Sequence, residues 1–210
     1  MYKNIPSGCT TLLFDLGGVL LNLNLQKTYN AFAALGYTNF STHFDSYSGA
    51  PFIETFEVGV LSNEQFINTC ITQCYKGTTT TQVLHAWNEM LGDFMHHKLA
   101  LLQQLSKYYK ILLYSNTNAL HVAHLHQYYN HTFGTNTVQN VFTKIYYSNE
   151  IGIRKPNAEG FVLIMEEQQL QPKQIFYIDD GAMHIATGKQ LGMHTLLWQQ
   201  NDDIATYFEV

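Results

Sequence analysis

Five short apolar segments limit what this chain can fold into: Thr11–Asp15, Ile111–Ser115, Phe142–Ser148, Ile175–Asp179 and His194–Trp198. Each is too short for a globular helix and dense in aliphatic or aromatic residues, as a strand buried on both faces must be. Helical patterns separate the last four. Asn118–Tyr129 follows the second segment. Pro156–Gln169 follows the third, with Pro156 suited to a first helical turn. Ala182–Leu191 follows the fourth and is stopped by Gly192. Strands alternating with helices predict an α/β fold with a doubly wound parallel sheet.

The interval between the first two segments breaks the alternation. Roughly 90 residues separate Asp15 from Ile111, far more than one crossover helix requires. Helices are expected there at Gln26–Leu35, Asn63–Tyr75, Thr81–Leu91 and His96–Tyr108. Ser62 and Gln65 have capping-box spacing at the start of the second, and Phe66, Ile67, Cys70, Ile71 and Cys74 mark one apolar face. The last helix is expected to lead back into the sheet, and the others to form a small inserted helical domain. The expected division is a core of residues 1–19 and 96–210 and a helical insertion of 20–95.

Composition excludes several classes of function. Apolar residues make up 46% of the 210 and charged residues 13%, which describes a globular chain rather than a disordered one. The formal charge is -5 and no basic run occurs, so nucleic acid is not an expected partner. The apolar run from Leu12 to Leu25 is interrupted by Asp15, Gly17, Gly18, Asn22 and Asn24, and no stretch reaches the roughly 20 residues needed to span a bilayer. Met1 to Thr10 lacks the basic-then-apolar order of a signal peptide, so a cytoplasmic location is expected. Cys9, Cys70 and Cys74 are too few for a disulfide scaffold, and the latter two lack further ligands for a metal, so buried thiols are expected. The oligomeric state is not legible.

Ligands bind at the carboxyl ends of strands in an open parallel sheet. Three of the expected strands end in reactive polar residues: Phe14-Asp15, Tyr114-Ser115-Asn116 and Ile178-Asp179-Asp180. One polar strand end means little; three on one edge point to a site. Carboxylates placed side by side repel unless a cation intervenes, and oxygen ligands with a phosphate-type substrate favour Mg2+. Lys155, in Ile153-Arg154-Lys155-Pro156, stands where a point charge for phosphate could reach the strand ends, although alone it would read as a solvated loop residue. His121, His124 and His126 do not make a metal cluster, because 126 falls on a different helix face from the other two. His96-His97 reads as a solvated helix start.

Phe14-Asp15-Leu16-Gly17-Gly18-Val19-Leu20, Tyr114-Ser115-Asn116-Thr117, Arg154-Lys155-Pro156 and Ile178-Asp179-Asp180 resemble, in order, the four motifs of the haloacid dehalogenase superfamily. Phe56-Glu57-Val58-Gly59 before Ser62 resembles the subfamily with an inserted α-helical cap. Ser115-Asn116-Thr117-Asn118 with His121 is most similar to its bacterial sugar-1-phosphate phosphatases, of the α-glucose-1-phosphatase type. The resemblance implies Asp15 as nucleophile, with Ser115 and Lys155 also catalytic. It implies phosphate contacts from Leu16, Gly17, Ser115, Asn116 and Lys155. Mg2+ would be held by Asp15, the Gly17 carbonyl and Asp180, with Asp179 and His184 behind these ligands. The implied substrate is a small phosphate ester, with a hexose 1-phosphate as the expected example.

Two positions depart from that pattern. The usual general acid two residues after the nucleophile is replaced by Gly17, which cannot transfer a proton, although a subset of the family shares this glycine. His184 stands where Asn or Asp usually follows, and reads either as a structural or helix-surface histidine or as a proton carrier. Two alternatives stay open: a metal-free 2-haloacid dehalogenase, and a non-catalytic phosphosugar-binding or protein-interaction module. The Asp179-Asp180 pair argues against the first, and retention of Asp15, Ser115 and Lys155 against the second.

Overall fold

The alternation of strands and helices produces one parallel sheet with helices on both faces in the computed structural model, which describes residues 4–42, 51–94, 96–199 and 204–208. Residues 43–50 and 95, in the span assigned to the helical insertion, lie outside the described residues, as do 1–3, 200–203 and 209–210 in the span assigned to the core. The order is β1 (Thr11–Phe14), α1 (Leu25–Ala34), α2 (Pro51–Glu57), α3 (Asn63–Gln73), α4 (Thr80–Asn88), α5 (His96–Leu105) and β2 (Lys110–Ser115). Then come α6 (Ala119–Phe133), β3 (Lys144–Tyr147), α7 (Ser148–Ile151), α8 (Ala158–Gln168), β4 (Ile175–Asp179), α9 (Ala182–Gln190), β5 (His194–Leu197) and α10 (Ile204–Tyr207).

The strands lie in the order β3-β2-β1-β4-β5, all parallel. Side chains alternate across the sheet, which explains why the strands read as continuous apolar runs. Leu12, Phe14, Ile111, Leu113 and Ile178 pack on one face with Leu102 and Leu105 of α5 and Leu125 of α6. Leu13, Leu112, Tyr114 and Tyr177 pack on the other with Phe161 and Ile164 of α8. Helix α5 therefore belongs with the sheet, as expected.

Helices α1 to α4 share a separate apolar core built on aromatic residues. Phe32 stacks on Phe40 at 4.0 Å, Phe56 on Phe66 at 4.2 Å, and Phe66 lies 4.8 Å from Trp87. The expected capping box at Ser62 and Gln65 forms, and Thr79 with Gln82 makes a second. Helix α2 was not anticipated, although Phe52, Ile53 and Phe56 carry helical spacing. Two chain crossings join this helical group to the sheet and pair with each other. Gly92 N–H donates to the Asn22 carbonyl at 2.8 Å, and Asn24 N–H to the Met90 carbonyl at 2.8 Å.

The helix expected from Pro156 begins instead at Ala158, after a cis Lys155–Pro156 peptide. The Asn116 side chain accepts from Lys155 N–H at 2.8 Å and donates to its carbonyl at 2.9 Å, so that backbone is committed to the end of β2 before a helix can wind. The third strand is also shorter than expected, because Phe142 closes a 3-10 turn and Ser148 opens α7. All three cysteines are free; Cys70 is buried, Cys9 and Cys74 partly so. His96 and His97 are exposed at the start of α5. Among the described residues no helix is long and apolar enough to cross a membrane.

Candidate active site

Because β1 lies between β2 and β4, with Phe14 level with Leu113 and Ile178, the three polar strand ends converge. They open into a cavity of about 460 Å³ between the sheet and the helical group. Asp15, Leu16, Gly17, Ser115, Asn116, Lys155, Asp180 and His184 line it from the sheet side, and Leu23, Glu57 and Met90 from the other. Asp179 alone among the expected site residues lies behind the wall, fully buried.

Burial of Asp179 is sustained by hydrogen bonds. Its Oδ2 accepts from Lys155 Nζ at 2.6 Å and from the Tyr177 hydroxyl, and its Oδ1 from Gly181 N–H at 2.7 Å and His184 Nδ1 at 2.9 Å. Burial alone would raise its pKa, yet Lys155 and His184 hold the carboxyl well below the usual carboxylate range. A carboxylate so fully engaged positions its neighbours. His184 is therefore buried and held by Asp179, and the helix-surface reading of it is wrong.

Lys155, with no exposed surface, also reaches Asp15 Oδ1 at 2.9 Å. Two of its three ammonium donors thus serve carboxylates, and the residue also lines the cavity. Burial opposes its charge, but Asp15 and Asp179 together keep its pKa above the ordinary lysine value. Leu16 N–H lies 2.7 Å from Asp15 Oδ1. Even so, burial, with Asp179 and Asp180 nearby, pushes the Asp15 carboxyl up to about 8 against the pull of Lys155. One lysine does not balance three neighbouring carboxylates. Asp15, Gly17 and Asp180 line the cavity, and two carboxylates with a backbone carbonyl would make an all-oxygen donor set suited to a hard divalent cation, which would return Asp15 to its ionised form. Asp15, Asp179 and His184 also bring ligand atoms within 4.8 Å of one another, but the last two are already bonded to each other.

Gly17 packs beside a leucine that a larger residue would have to move. A Cβ there would lie 2.6 Å from Leu23 Cδ1, so leucine fills the space a side chain at 17 would occupy. His121 is buried at the cavity wall and stacks on Trp87 at 4.6 Å. Its Nδ1 accepts from the Asn118 amide at 3.2 Å and its Nε2 donates to the Trp87 carbonyl at 3.2 Å. Burial pulls its pKa down to about 4, so it is neutral and tethers α4 to α6. His126 meets the Tyr147 hydroxyl at 3.2 Å, and no metal cluster forms around this histidine among the described residues.

Sequence reasoning gave no chemical role to Glu57, which α2 delivers to the cavity, or to Ser148, Trp87 and Leu23. Ser148 Oγ donates to the Glu57 carbonyl at 2.6 Å and accepts from Thr117 N–H at 2.9 Å, joining the helical group to the end of β2. Arg154 pairs with Glu54 at 2.8 Å and Glu57 at 3.1 Å. These links lie between residues far apart in sequence and have no periodic signal. The glycine of Phe56-Glu57-Val58-Gly59 was the available hint: Gly59 has φ +73°, and a Cβ there would run into the Asn149 carbonyl.

Comparison with known proteins supplies independent evidence. The model of haloacid dehalogenase-like hydrolases matches residues 9–192. The D-ribitol-5-phosphate phosphatase of Bacteroides thetaiotaomicron is 28% identical over 195 residues, 93% of this chain and 91% of that protein. A crystal structure of a wild-type enzyme of this family from the same organism, in complex with magnesium and inorganic phosphate, superposes with a TM-score of 0.86 at 30% identity, covering 96% of this chain and 100% of the other. A predicted hydrolase of the family from Porphyromonas gingivalis gives 0.83 at 28% identity, over 93% and 94%.

Proposed function

Because the chain belongs to the haloacid dehalogenase-like hydrolase family, we propose that it is a cytoplasmic, Mg2+-dependent phosphatase of a small phosphorylated sugar or polyol, with helices α1 to α4 as its cap. The observation that carries this reading is the convergence of Asp15, Ser115, Lys155 and Asp180 on one cavity. Asp15 attacks phosphorus, forms an aspartyl-phosphate and is released by water. Ser115, the backbone at Leu16, Gly17 and Asn116, and the remaining donor of Lys155 take the phosphoryl oxygens. Asp179 holds Lys155 in place for that task. Mg2+, bound by Asp15, the Gly17 carbonyl and Asp180, would supply charge neutralisation at the transferring group. The crowded carboxylates are poorly suited to the alternative of metal-free attack on carbon.

Two substrate classes have separate support. The similarity to a D-ribitol-5-phosphate phosphatase favours a pentitol 5-phosphate. Gly17, which leaves no acid at its position, favours a hexose 1-phosphate, whose anomeric oxygen leaves more easily, unless another residue of the cavity wall supplies the proton. The resemblance to α-glucose-1-phosphatases thus narrows to sugar or polyol phosphatases in general. Measuring kcat/KM for ribitol 5-phosphate and glucose 1-phosphate with saturating Mg2+ decides between them, and turnover of neither, nor of other phosphorylated metabolites, would overturn the phosphatase reading.

The metal assignment predicts that Asp180→Asn raises the Mg2+ concentration for half-maximal activity by about 10-fold or more. Its melting temperature in EDTA should barely change, since Asp180 is only partly buried. An unchanged Mg2+ titration would remove Asp180 from the site.

A further inference from the structure

Hydrolysis of an alkyl phosphate needs a proton for the departing oxygen, and later a base for the incoming water. Position 17 supplies neither, and Leu23 occupies the space beside it. The other titratable groups on the cavity wall are largely committed. Asp15 is the nucleophile of the proposed reaction and Asp180 a ligand of its metal. Lys155 is shared by two carboxylates that keep it charged. His121 uses both ring nitrogens within the protein and is neutral. His184 donates Nδ1–H to Asp179, so Nε2 carries a proton only when the ring is cationic.

Glu57 differs from all of these. It is the last residue of α2, and its side chain lines the cavity with 9% of its surface exposed. Ser148 at its carbonyl and the close approach of Gly59 to Asn149 fix that helix end against the sheet. Glu57 Oε2 lies 3.1 Å from Arg154 Nη2 yet is buried without a hydrogen bond among the described residues. Arg154 meanwhile makes a well-formed hydrogen bond to Glu54, so its hold on Glu57 is divided.

Resting on the phosphatase reading above, we infer that Glu57 is the proton shuttle of this site, delivered by the cap in place of the acid missing at position 17. In the first half-reaction the Asp15–phosphorus bond forms as the phosphorus–oxygen bond to the alcohol breaks, and the departing oxygen takes the Glu57 carboxyl proton. In the second, water attacks phosphorus, gives a proton to the Glu57 carboxylate, and the Asp15–phosphorus bond breaks. Inorganic phosphate leaves with Glu57 protonated again. The electrostatics agree with the geometry: burial, outweighing Arg154, pushes the Glu57 carboxyl up to about 7. The charged groups acting on it are Arg154 and Lys155 from the loop after α7 and Glu54 from its own helix, which raises it further.

The test compares kcat/KM for an alkyl ester, ribitol 5-phosphate, with that for p-nitrophenyl phosphate, whose leaving group departs without a proton. Glu57→Gln should lower the alkyl value by about 10²–10⁴-fold, the range for a lost general acid, and the aryl value by less than about 10-fold. Only the alkyl ester should lose rate in wild type as pH rises through the Glu57 pKa, because the protonated form is the donor. Glu54→Gln, which leaves Arg154 to Glu57, should move that limb to lower pH. Equal losses on both esters in Glu57→Gln would reduce Glu57 to a cap-positioning residue, and an unaffected alkyl rate would pass the proton to another group such as His184. Should Glu57→Gln fail to fold, an immobile limb in Glu54→Gln still overturns the shuttle. Wild-type protein that hydrolyses neither ester fails the phosphatase reading itself, a distinct result that removes the shuttle with it.

Discussion

Asp15→Asn is expected to abolish phosphatase turnover, by on the order of 10⁴-fold or more, while the protein stays folded. The amide is nearly isosteric with the carboxylate and cannot attack phosphorus. Folding should survive because Lys155 keeps Asp179 at 2.6 Å, and Asn116 still holds both its backbone groups. Removing one of three crowded carboxylates also relieves repulsion, so the melting temperature in EDTA should not fall below that of wild type. Turnover above about 1% of wild type, with mass spectrometry showing no deamidation back to Asp, would remove Asp15 from the nucleophile's role.

The parallel sheet was legible because its strands are buried on both faces and keep an unbroken apolar signal. Thr11–Asp15 and Ile175–Asp179 differ from the observed β1 and β4 by no more than a residue at an end. Boundaries failed where tertiary contacts decide them. Pro156 looked like a helix start until Asn116, from a different strand, fixed the Lys155 backbone ahead of it. Helix α2 is only seven residues long and gains its burial from α3 through the Phe56–Phe66 stack, so its own sequence window is weak.

The sheet half of the site was legible from local motifs, since strand ends carry their side chains to a predictable edge. The half contributed by the helical group was not. Glu57 reaches the cavity through Ser148, ninety-one positions later, and Leu23 is recognisable as the occupant of the missing acid's place only when its contact with Gly17 is seen. His184 read as ambiguous because its partner Asp179 also serves Lys155 and Tyr177, an arrangement spread over β4, α9 and the loop before α8.

That shared partner makes Lys155→Met the most destabilising single change expected at the site. Lys155 has no exposed surface and its Nζ lies within 2.9 Å of Asp15 and 2.6 Å of Asp179, so its removal leaves two buried carboxylates without their cation. Breaking a buried pair by deleting one partner costs about 3–5 kcal/mol, and loss of a phosphoryl contact should lower kcat by a further roughly 10²-fold or more. The stability effect has a defined pH dependence. Asp179 is held below its unfolded pKa in the wild type, so its contribution is present above that unfolded value and is lost as pH falls through the folded one. Lys155 is held above its unfolded pKa, so its own contribution persists throughout the acid and neutral range and is lost only in strong base. Without the lysine, Asp15, which burial already raises to about 8, is protonated at neutral pH, whereas Asp179 loses the main influence holding it down, shifts upward and takes up a proton on acidification, which neutralises the unpaired charge. The gap in melting temperature between wild type and Lys155→Met, measured in EDTA so that no cation substitutes for the ammonium, should therefore narrow on acidification. A gap of equal size at pH 7 and pH 5 would assign the loss to packing of the lysine's methylene stem and not to the charge it neutralises.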